Sequence, residues 1–69
     1  MRTDLLEALE LKFEAEKLAA EANIQTYMTQ SVGIGEHPDL VEAVETQISR
    51  LAEANERLDT VRELLHRNG

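Results

Sequence analysis

The chain contains no cysteine and no tryptophan, one proline, three glycines and two aromatic residues, Phe13 and Tyr27. Without cysteine, neither a disulfide framework nor a thiolate metal site can hold a small fold together. That matters at 69 residues, because a lone domain below about 70–80 residues seldom buries enough apolar area for more than a few kcal/mol of stability. The apolar runs are too short for a membrane span or a signal-peptide core, so the chain is expected to be soluble and cytoplasmic. Basic residues are also few. Seven stand against fourteen acidic ones, a formal net charge of −7. This argues against nucleic acid and against a membrane surface as partners, since both attract clustered Lys and Arg.

Two of the three glycines and the single proline fall in one stretch, residues 31–38, which contains Gly33, Gly35, His37 and Pro38. On either side the residues are mainly Ala, Leu, Glu, Lys, Arg and Gln, the strong helix formers, with few β-branched runs that would favour a strand. The reading is a single all-α domain over 1–69: a helix over about 4–29, a loop over about 30–37 and a second helix over about 38–67. The helices would be roughly 37 and 44 Å long. Asp4 and Glu7 have capping-box spacing at the first helix start, with Thr3 as the competing cap. Pro38 suits the first position of the second helix, which makes His37 its N-cap, and Asp39 complements the positive dipole end. At the other end Arg62, His66 and Arg67 suit the negative end, and Asn68-Gly69 closes the helix.

The second helix carries an alternating three-and-four spacing: Leu40, Val44, Gln47, Leu51, Ala54, Leu58, Val61 and Leu65. All but Gln47 are apolar, which makes this a strong a/d seam. Val41, Ile48 and Ala52 would widen it on one side. The first helix differs, because at 100° per residue it presents two apolar rows. Ala8, Leu11, Ala15, Leu18 and Ala22 form a narrow one, and Leu6, Leu9, Phe13, Ala20, Ile24 and Tyr27 a bulkier one. A surface helix needs an apolar stripe only a little over 100° wide, so two rows imply two sets of neighbours. The expected arrangement has the alanine row packed closely on one helix and the bulky row filling the interior of something larger. An antiparallel two-helix hairpin would then dimerise about a twofold axis into a four-helix bundle.

Catalytic chemistry appears only as fragments. Gly33-Ile34-Gly35 before a helix has the look of a phosphate cradle, but it lacks a preceding strand and the Lys-Ser/Thr of a phosphate loop, and Glu36 and Asp39 would repel an anion. Those glycines are better explained by a turn requiring positive φ. Glu36, His37 and Asp39 are metal-compatible, yet capping and pre-proline geometry account for the same residues. Glu63 and His66 make a lone Glu-x-x-His pair, whereas di-iron bundles use such pairs on two helices. Polar residues in or near the seams (Gln47, Lys12, Glu16, Asn23) fit register control or snorkelling to solvent. Tyr27 and Met28 read as closure of the core at the loop end. No catalytic residue, metal, cofactor or small-molecule substrate is expected.

The loop and start of the second helix, Val32-Gly33-Ile34-Gly35-Glu36-His37-Pro38-Asp39-Leu40-Val41-Glu42-Ala43, followed by Leu51-Ala52-Glu53-Ala54-Asn55-Glu56-Arg57-Leu58, resembles small hairpin proteins encoded by tailed bacteriophages, marine ones in particular. The resemblance covers roughly the latter half of the chain. It implies expression in a bacterial host cytoplasm and an accessory or virion-associated role, and it carries no chemistry over to any residue. The expectation is therefore a noncatalytic, self-associating helical module, an accessory or adaptor whose partners are a second copy and a larger protein. The alternative is an acidic inhibitor or DNA mimic that binds a basic site of a host protein.

Overall fold

The computed structural model describes residues 3–29 and 39–68. Two helices account for nearly all of these: α1 over Asp4–Thr29 and α2 over Asp39–Asn68. They pack against each other along their length. Their direction follows from side-chain pairs, since Glu10 and Glu14 meet Arg62, Phe13 meets Arg57 and Asn23 meets Gln47. The beginning of α1 thus lies beside the end of α2, and the pair is antiparallel. The turn and cap residues expected at Gly33, Gly35, His37 and Pro38 lie outside the described residues.

At its start α1 uses Thr3, not Asp4, in the capping position. The Glu7 amide donates to the Thr3 carbonyl at 2.9 Å, which is the first bond of the helical ladder and makes Asp4 the first helical residue. The capping-box reading of Asp4 and Glu7 is therefore corrected. Both acids sit in the first turn, where the positive end of the helix dipole favours them. In α2, Asp39 and Glu42 occupy the first turn and His66 and Arg67 the last, so both ends match the dipole.

The seam of α2 faces α1. Gln47, Ala54, Leu58 and Val61 are buried, and Leu40, Val44, Leu51 and Leu65 are partly covered. Val41, Ile48 and Ala52 do not widen it, because all three are exposed.

In α1 the residues turned toward α2 are Leu6, Glu10, Phe13, Lys17, Ala20, Ile24 and Tyr27, which repeat the same alternation of three and four. This overturns the expected orientation. The bulky row does not wait for a second molecule; α2 covers it. Ala8, Leu11, Ala15, Leu18 and Ala22 are exposed, and Leu9 sits at the margin. The physical reason is area. With one neighbour available within the chain, α1 turns inward the face whose Leu, Phe, Ile and Tyr side chains remove the most apolar surface from water. Ala20 in α1 and Ala54 in α2 are both buried, and short side chains in the seam let the two backbones approach.

The resulting molecule is a rod of 55 × 13 × 13 Å. Its radius of gyration is 15.9 Å, against about 11 Å for a compact chain of this length. Among the described residues no helix is long and apolar enough to cross a membrane.

Candidate interaction surface

Two kinds of surface flank the seam. The first is a charged clamp that spans the two helices. Arg62 Nε donates to Glu10 Oε2 at 3.0 Å and Arg62 Nη2 to Glu14 Oε1 at 2.7 Å, so one guanidinium of α2 bridges two carboxylates one turn apart on α1. The hydrogen bond with Glu10, helped by the negative charges of Glu14 and Glu10, raises Arg62 above its ordinary value despite some desolvation. An arginine stays cationic throughout the ordinary pH range, so the Arg62 half of the clamp does not titrate there. Beside it the Arg57 guanidinium lies 5.8 Å from the centre of the Phe13 ring, within cation–π range. Arg57 is also paired with Glu53, and Arg67 with Glu63, one turn back on α2.

At the edge of the seam the exposed Asn23 reaches over it, and its Nδ2 donates to Gln47 Oε1 at 3.1 Å. Gln47 is only 7% exposed. Because Gln47 is buried, this pair penalises any register in which the two separate. Among the described residues no buried side-chain N or O lacks a hydrogen-bond partner.

The second surface is apolar and lies on the side of α1 opposite α2. There Ala8, Leu11, Ala15, Leu18 and Ala22 are exposed, with Leu11 at 73% and Leu18 at 57%. Their spacing of three and four is again that of a helix–helix seam. A mainly apolar recess at the end of α1 and the start of α2 is formed by Met28, Leu40, Val41, Val44 and Ile48, with Glu45 and Ser49 at its side.

Among the described residues no group of three or more His, Cys, Asp or Glu is placed to hold a metal. His66 is exposed at the end of α2, and Glu63, its partner in the lone Glu-x-x-His spacing, is engaged by Arg67. The charged members of the α1 seam, Glu10 and Lys17, are what sequence reasoning missed. They follow the same heptad as Leu6, Phe13 and Ala20, and admitting charged residues that keep their heads in water would have found them.

No protein-family model matches this chain, and neither a curated protein nor a solved structure matches it.

Proposed function

We propose that this protein is a noncatalytic helical module that works by association, first with a second copy of itself, so that two hairpins form a four-helix assembly. One observation carries the reading: α1 is apolar on two opposite sides, and its hairpin partner covers only one of them. Exposed leucines in seam spacing on a chain with so small a core mark an interface rather than a solvated face. The resemblance of the loop and α2 to phage hairpin proteins supports a further proposal, that the assembly is an accessory or adaptor in an infected bacterial cytoplasm. Enzymatic activity has no part in this reading.

Light scattering at micromolar concentration, repeated at low and high salt, tests it. The expected mass is twice the chain mass of 7.8 kDa at both salt concentrations, because an apolar contact is not screened. A folded monomer would overturn it. The competing acidic decoy would bind a basic protein with an affinity that collapses as salt rises.

A further inference from the structure

The apolar outer face of α1 has two edges of different chemistry, and these fix how a second copy can sit on it. Across the face run Ala8, Leu11, Ala15, Leu18 and Ala22, with the alanines at a positions and the leucines at d. Along one edge lie Glu7, Glu14 and Glu21; the other edge carries Lys12. An antiparallel twofold pair sets like edges against each other and would line up the glutamates of both copies. A parallel pair sets the acidic edge against the opposite one, and Glu7 then meets Lys12 of the second copy, five residues further on, which is the charge pairing of parallel coiled coils. Alanine at 8, 15 and 22 lets the two helices approach closely around Leu11 and Leu18.

We infer that the outer face of α1 docks in parallel, in register, on the same face of a second copy. Resting on the self-association proposed above, this makes the assembly a flat row of four helices, α2–α1–α1–α2, with the two α1 helices at the centre and each bulky Leu6/Phe13/Ile24 seam kept inside its own hairpin. The arrangement differs from a compact bundle closed by that seam.

The chain lacks cysteine, so Gln25→Cys, at the next d position and exposed, introduces the only thiol. In the parallel pair the two introduced thiols face each other within disulfide reach. In an antiparallel pair they lie tens of ångströms apart, since position 25 faces the start of the partner's helix. The expected result under mild oxidation is near-complete conversion to a covalent dimer, abolished when Leu18→Glu is added, with helicity retained by circular dichroism. A dimer by mass that does not cross-link, or one that persists with Leu18→Glu, overturns this arrangement and leaves self-association standing. A folded monomer of the unsubstituted chain overturns self-association itself.

Discussion

Gln47 and Asn23 show how a single hydrogen bond can matter more for what it prevents than for what it adds. A net hydrogen bond contributes about 1 kcal/mol, but stranding one buried partner costs about 1–3 kcal/mol. Asn23→Ala, which leaves Gln47 unpartnered at 7% exposure, is therefore expected to lower the unfolding free energy by about 1–3 kcal/mol in urea titrations. Asn23→Ala combined with Gln47→Leu should restore or exceed the original stability while loosening the helix register, because no buried polar group is then left unpaired. Leu58, buried at the same seam, obeys the simpler rule of lost area plus cavity, and Leu58→Ala should cost about 2–5 kcal/mol. The Arg62 clamp belongs to a weaker class. Its partners and its own side chain are all about a third or more exposed, so Arg62→Gln should lower the melting temperature slightly at low salt, and the difference should shrink as salt is added.

The two helices differ in how plainly the sequence announces them. In α2 the seam at Leu40, Val44, Gln47, Leu51, Ala54, Leu58, Val61 and Leu65 was legible because that helix has one neighbour and its glutamates occupy other faces. In α1 helicity was equally legible, but orientation was not. Two apolar rows compete there, and spacing alone does not rank them. What ranks them is the area each removes from water, and the winning row is disguised by Glu10 and Lys17, charged residues that share it. The exposed Ala/Leu row was legible as a row but was paired with the wrong neighbour. Overpacking separates the two faces experimentally. Ala20→Leu, at a buried position, should cost about 1–3 kcal/mol, while Ala15→Leu, on the outer face, should leave packing within the hairpin intact. Equal losses at the two sites at a protein concentration low enough to give monomer would mean that the outer face is packed within the hairpin as tightly as the inner.

At the scale of the whole molecule, the hairpin is a thin rod whose single helix–helix seam is too narrow to bury all the apolar surface its sequence supplies. A radius of gyration of 15.9 Å and exposed Leu11 and Leu18 are two expressions of that mismatch. On the proposed self-association, the second copy adds to the stability of a hairpin that folds by itself, and stability then depends on how much protein is present. The most direct measurement is the thermal unfolding midpoint followed by circular dichroism over a hundredfold range of protein concentration. The account expects the midpoint to rise steadily with concentration, and a variant carrying Leu18→Glu to show a lower midpoint that no longer moves. A midpoint independent of concentration in the unsubstituted chain, with full helicity at the lowest concentration, would contradict it.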